Sequence, residues 1–132
     1  MILVDTSVLL DLVTDDPVWA EWSIGQLKQA SLAGSLLIND VVYAELSTRY
    51  ERIEDLDDFV SGIGLVHAPM PKAALFLAAK AFRQYKDAGG TKTGVLSDFF
   101  IGAHAAVEGV RLLTRDEGRY RTYFPTVELI SP

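Results

Sequence analysis

A chain of 132 residues is long enough to bury one sizeable core and too short for two. Its 49% apolar and 23% charged residues are a globular composition, and a mean hydropathy of +0.19 implies that a partner covers part of the surface. The absence of cysteine excludes disulfides and thiolate metal sites, and 12 basic against 18 acidic residues, net −6, argue against a broad basic surface for duplex nucleic acid. An acidic cluster holding a divalent ion would account for part of that imbalance. The first apolar run stops at Asp5 without a positive segment before it, which speaks against a signal peptide. No uncharged stretch approaches the roughly 18 residues of a membrane span. The expectation is one soluble domain over residues 1–132, with no membrane association and a cytoplasmic location.

Taken in order, the chain alternates between short apolar runs and helical patterns. Ile2-Leu3-Val4 reads as a buried strand that delivers Asp5 to an edge, with Thr6 or Ser7 capping the helix Val8 to Val13. Asp16 and Pro17 start a second helix, which carries Trp19, Trp22 and Leu27 and ends near Gly34. Ser35 to Ile38 is a second strand, after which Asn39 or Asp40 caps a helix reaching Tyr50 and carrying Glu45. Glu54 to Ile63 is a further helix closed by Gly62 and Gly64, and Leu65 to Ala68 a third strand. A long helix from Lys72 to Asp87 repeats Phe76, Ala79, Phe82 and Arg83 at helical spacing and ends at Gly89-Gly90. Thr91-Lys92-Thr93-Gly94 is a loop, Ser97 caps a helix from Asp98 to Val107 closed by Gly109, and Val110 to Thr114 is a strand leading to Asp116. Val127 to Ile130 is a last short strand. Such βα alternation argues for a parallel sheet with helices on both faces.

Asp5 and Asp116 each follow an apolar run directly or nearly so, and in a parallel sheet both belong to the carboxyl edge, where ligands bind. Asp98 sits in a first helical turn, where the helix dipole alone favours a carboxylate by about 0.3–1 kcal/mol. A crossover into the next strand is expected to set that turn and the strand's end at opposite levels, unless the loop 89–94 forms an excursion. Glu45 has an alternative partner in Arg49 at i+4. Carboxylates gathered without a cation repel, so a stable tetrad implies a bound cation, and all-oxygen donors select Mg²⁺ or Mn²⁺ over zinc.

Lys92, Arg115, Arg119 and Arg121 flank the acidic mouth, either as phosphate contacts for RNA or as ordinary solvated charges. Tyr120 and Tyr123 stack on bases or pack. His67 and His104 read as packing residues, not ligands. Gly89 to Gly94 fails as a phosphate loop, because it follows a helix and lacks the first glycine at the required spacing.

Val4-Asp5-Thr6-Ser7, the helical Tyr43-Ala44-Glu45-Leu46, Ser97-Asp98-Phe99-Phe100-Ile101-Gly102-Ala103-His104-Ala105 and Leu113-Thr114-Arg115-Asp116 together resemble the PIN-domain ribonucleases, most closely the VapC toxins of prokaryotic toxin–antitoxin pairs. The likeness spans nearly the whole chain in order. It implies a three-layer α/β/α fold with a central parallel sheet of about five strands. It also implies an acidic Mg²⁺ or Mn²⁺ site at Asp5, Glu45, Asp98 and Asp116, with Thr6 or Thr114 as an orienting hydroxyl. The implied activity is metal-dependent hydrolysis of RNA phosphodiesters by one or two ions. The implied partners are an RNA substrate, a second copy in a homodimer, and a VapB-like antitoxin lying in a helical groove; the helix of Trp19 and Trp22 and the one after Asn39 are the candidates to line it, the alternative being that the tryptophans are simply core. Gly102 departs from the family pattern, where Ala is more common, and should affect packing more than chemistry.

Two other readings stand beside this one. A PIN fold that binds RNA or protein without cutting keeps the same motifs. A haloacid-dehalogenase-type phosphatase requires a second aspartate two residues after the first, where this chain has Ser7.

Overall fold

The computed structural model describes residues 1–92 and 94–132; Thr93, in the predicted loop 91–94, lies outside the described residues. Five short strands, β1 (Ile2–Val4), β2 (Leu36–Ile38), β3 (Leu65–His67), β4 (Arg111–Leu113) and β5 (Leu129–Ile130), form one sheet in the order β3-β2-β1-β4-β5. Every pairing is parallel. The helices of the described residues are α1 (Thr6–Val13), α2 (Ala20–Ala33), α3 (Asp40–Ser47), α4 (Ile53–Ile63), α5 (Lys72–Asp87), α6 (Leu96–Glu108) and α7 (Gly118–Tyr123). They cover the sheet to give the expected three-layer α/β/α fold. None is long and apolar enough to cross a membrane.

The central strand is apolar at every position because it is covered on both sides, and Ile2, Leu3 and Val4 are all at most 1% exposed. Val4 pairs with Leu113, and the backbone N–H of Asp5 donates to the Leu113 carbonyl at 2.9 Å. Asp5 and Thr114 therefore leave the sheet side by side. Strand order runs one way from β1 through β2 to β3 and the other way through β4 to β5. The crevice at the carboxyl ends of β1 and β4 is thus the topological switch point, the usual place for a ligand in an open α/β sheet.

Several local expectations are corrected. The N-cap of α1 is Asp5, whose side chain makes no capping bond, while the Thr6 and Ser7 hydroxyls turn to acidic side chains. Asp16 does accept from the N–H groups of Val18 and Trp19, but this fixes the turn leading into α2, which begins at Ala20. Of the two candidates for α3, Asn39 is the cap, accepting from Val42 N–H at 3.0 Å, and the helix ends at Ser47. Ser97 lies inside α6 and is not its cap. On α5 the buried stripe is Ala74, Ala78 and Ala81, whereas Phe76 is 68% exposed beneath the Lys80 ammonium. The small residues face inward because α5 packs closely along α6. The sequence pattern declares no element between Asp116 and Pro125, since the six residues of α7 carry too little periodicity to mark a helix.

Gly102 lies in the middle of α6 against the ring of Phe124, and a Cβ there would stand 2.4 Å from Phe124 Cδ2. That ring is buried and packs on Phe99 with centroids 6.2 Å apart, so it has little room to retreat. Gly102→Ala should therefore cost about 1–3 kcal/mol by overpacking, despite the roughly 1 kcal/mol that alanine gains in helix propensity. Urea denaturation checks this, with Phe124→Leu expected to recover most of the loss; a stabilised Gly102→Ala would mean that the ring does not hold the glycine.

Candidate active site

Asp5 is 4% exposed and is held by hydroxyls from two elements. Thr114, just past β4, donates to its Oδ2 at 2.7 Å, and Ser7, in the first turn of α1, donates to the same oxygen at 3.0 Å. The Thr114 oxygen in turn accepts the Asp116 N–H at 3.0 Å, which fixes the turn that carries Asp116 out of the strand. Across the crevice, Thr6 donates to Glu45 Oε1 at 2.7 Å, tying α1 to α3 and aiming Glu45 toward Asp5. Thr6 and Thr114 thus both orient acids, each a different one.

Asp98 lies in the first turn of α6. A helix joining parallel strands runs back against them, so its first turn belongs at the same edge as the strands' carboxyl ends. The expected difference in level between Asp98 and the end of β4 was an error of geometry. The structure instead brings Asp98 within electrostatic reach of Asp5, Glu45 and Asp116. Its Oδ2 accepts from Arg119 Nε at 3.0 Å, with both side chains about a quarter exposed.

Burial pushes the Asp5 pKa up to about 6; the charges of Asp98 and Glu45 add to this rise, while the hydroxyls of Thr114 and Ser7 oppose it. Asp98 is also raised, chiefly by burial, with Asp116 and Glu45 contributing and Arg119 pulling the other way. These shifts are the signature of carboxylates crowded into a poorly hydrated crevice. Among the described residues, however, no three acidic or imidazole side chains converge tightly enough to enclose an ion as they stand. The donor chemistry still fits a hard divalent cation: every donor is an oxygen, the set is anionic, and its proton affinity is high enough for a cation to take the proton's place.

The basic residues are placed differently from the sequence-based expectation. Arg115 turns to the buried Asp11, its Nε 3.0 Å from Oδ2, and lies over the Trp19 ring at 5.4 Å. Arg119 is engaged by Asp98, and Arg121 pairs with Glu117 one turn away. The Lys92 side chain is exposed, while its backbone N–H donates to the Tyr85 hydroxyl. Tyr123 packs in an aromatic cluster and Tyr120 is buried. His104 is buried beside Asn39, and His67 stacks on Tyr43 and contacts Asp40. Ser7 was missed as an Asp5 partner; its place two residues on from a strand-end carboxylate was the available signal.

The PIN domain model matches residues 2–125, and the chain belongs to the PIN-domain family. Solved structures agree on the fold. VapBC2 from Rickettsia felis, bound to a DNA fragment from its promoter, superposes with a TM-score of 0.75 at 17% identity, over 100% of this chain and 99% of that one. DNA-bound VapBC from Salmonella typhimurium gives 0.71 at 15% identity, over 98% and 96%. FitAcB from Neisseria gonorrhoeae gives 0.66 at 20% identity, again over 98% and 96%. No curated protein matches the chain by sequence.

Because the folded pKa of Asp5 lies above its unfolded value of 3.8, the folded state binds more protons than the unfolded state between about pH 4 and 6. Stability of the metal-free protein through this group is therefore present at low pH and lost as pH rises through about 6. Asp5→Asn should gain on wild type by about 2–3 kcal/mol on going from pH 4 to pH 7.5, at 1.36 kcal/mol per unit. Urea denaturation in EDTA at the two pH values measures that difference, which would be near zero if Asp5 were freely solvated.

Proposed function

We propose that the protein is a metal-dependent endoribonuclease, the toxin of a toxin–antitoxin pair, with Asp5, Glu45, Asp98 and Asp116 as its cation-binding carboxylates. The single observation that supports this reading is that, near the switch point between β1 and β4, Asp5, Glu45 and Asp98 from three separate chain segments lie within electrostatic reach of one another, with Asp116 from a fourth within reach of Asp98. A packing role does not account for that gathering, since each carboxylate raises the energy of the next. A divalent cation bound there, Mg²⁺ or Mn²⁺, would supply Lewis acidity, polarising a phosphoryl oxygen and lowering the pKa of a water. The chain's own residues do the rest. Thr114 and Ser7 orient Asp5, Thr6 orients Glu45, and the fixed turn at Thr114 presents Asp116. Arg119 holds Asp98 in the absence of a cation and is the positive group nearest to hand for a substrate phosphate once Asp98 is drawn away. Lys92 and Arg115 remain proposed outer contacts for RNA.

The antitoxin, proposed as VapB-like, has two apolar clefts to fill. One, of about 270 Å³, lies between α2 and α4 and includes Ile24, Leu27 and Ile63. The other, of about 170 Å³, lies between α3 and α4 and includes Tyr43, Tyr50 and Leu56. The helix of Trp19 and Trp22 and the one after Asn39 thus each line one of these clefts, with α4 as the opposite wall, while Trp22 packs on the core and Trp19 lies under Arg115. A homodimer and a cytoplasmic site of action complete the proposal. A non-cleaving PIN fold is the second reading, favoured by the Arg119 ion pair that occupies Asp98.

Purified protein incubated with a mixed cellular RNA pool and Mg²⁺ or Mn²⁺ should produce discrete fragments, and EDTA should abolish them. Asp98→Asn should cut the rate by about 10²-fold or more, the scale on which loss of one charge-stabilising group acts. Cation binding with intact RNA would select the non-cleaving reading, and full activity in the variant would mean that Asp98 is outside the site.

A further inference from the structure

Tyr120 is the buried group that this chemistry leaves unused. It is 2% exposed, and its hydroxyl has no hydrogen-bond partner, alone in this among buried side-chain polar atoms of the described residues. The hydroxyl is close enough to Asp5 to interact with its carboxylate but stops short of full hydrogen-bond geometry, and Asp98 and Glu45 are also within electrostatic reach. Both side-chain hydrogen bonds to Asp5 end on Oδ2, which leaves Oδ1 without a donor among the described residues. Helix α7 therefore brings consecutive side chains to two of the acids, Arg119 to Asp98 and Tyr120 to Asp5. Packing does not call for the hydroxyl. A phenylalanine would fill the same space and leave no buried polar atom unpaired.

We propose that Tyr120 is a positioning residue of the cation site, its hydroxyl donating to the Asp5 carboxylate when a divalent ion is bound and fixing the orientation in which Asp5 meets that ion. This rests on the metal-dependent reading above. A hydrogen bond to a charged acceptor is about twice as strong as one between neutral groups, and a carboxylate whose free oxygen is already held by a neighbouring donor meets an ion in a fixed orientation. The contact therefore matters most in the loaded state. In the metal-free state the unpaired hydroxyl is a burden on the fold.

Tyr120→Phe tests this with Mn²⁺ alone as the probe and without any assay of activity. Calorimetric titration should show Mn²⁺ binding about tenfold weaker than in wild type, equivalent to about 1.4 kcal/mol. The melting temperature in EDTA should be unchanged or higher, and the rise on adding Mn²⁺ correspondingly smaller. Affinity within twofold of wild type overturns the assignment, and so does a lower melting temperature in EDTA, which would mark the hydroxyl as structural. If wild type itself fails to bind Mn²⁺, the metal site and the role of Tyr120 fall together; binding by wild type and variant alike removes Tyr120 only.

Discussion

A carboxylate at the buried end of a central strand is expensive, and Asp5 organises its surroundings through that expense. Water is largely excluded from it, so its lone pairs must be met by donors that the fold itself supplies. Ser7 comes locally from the following helix, whereas Thr114 comes from the end of the neighbouring strand and stands beside Asp5 only because β1 and β4 are paired in a fixed register. A one-residue slip between these strands would replace Thr114 with Leu113 or Arg115 beside Asp5. The site and the sheet register are thus one constraint.

The far wall of the crevice depends on aromatic packing. Phe99 follows Asp98 directly and is fully buried, touching Phe82, Tyr85, Tyr123 and Phe124 with ring centroids 5.2–6.2 Å away. Those rings come from α5, α7 and the residue after α7. Fixing Phe99 fixes Asp98, and the same cluster anchors the short α7 that presents Arg119 and Tyr120. A helix of six residues has little stability of its own, so tertiary packing is what makes it a helix at all.

Charge balance gives the site its character. Carboxylates brought this close raise one another's proton affinity, and among the described residues Arg119 is the cation paired with them as internal relief. Arg115, next to Asp116 in sequence, is spent elsewhere on Asp11. The result is a crevice with more negative charge than its own groups neutralise, built of oxygen donors and lacking imidazole. All-oxygen donors of this kind suit the hard divalent cations, Mg²⁺ or Mn²⁺, proposed for the site.

Much of this was legible in the sequence because it is local. Apolar runs of three to five residues ending in Asp5, Asn39 and Thr114 declared the central strands, and Gly34, Gly64 and Gly109 marked where helices stop. Asp5 and Asp116 could be assigned to one edge from strand direction alone. What periodicity could not decide was everything that depends on which side chain meets which across the fold. It offered Arg115 and Arg119 as equivalent, whereas packing sends one to Asp11 and the other to Asp98. It placed Phe76 in the stripe of α5 that close approach to α6 reserves for alanine. It also passed over α7 and left Tyr120 between base stacking and packing. Local hydrophobic pattern and turn chemistry are written residue by residue, but the partner of a buried polar group is chosen by segments a hundred residues apart, and only the folded chain brings them within a hydrogen bond's length.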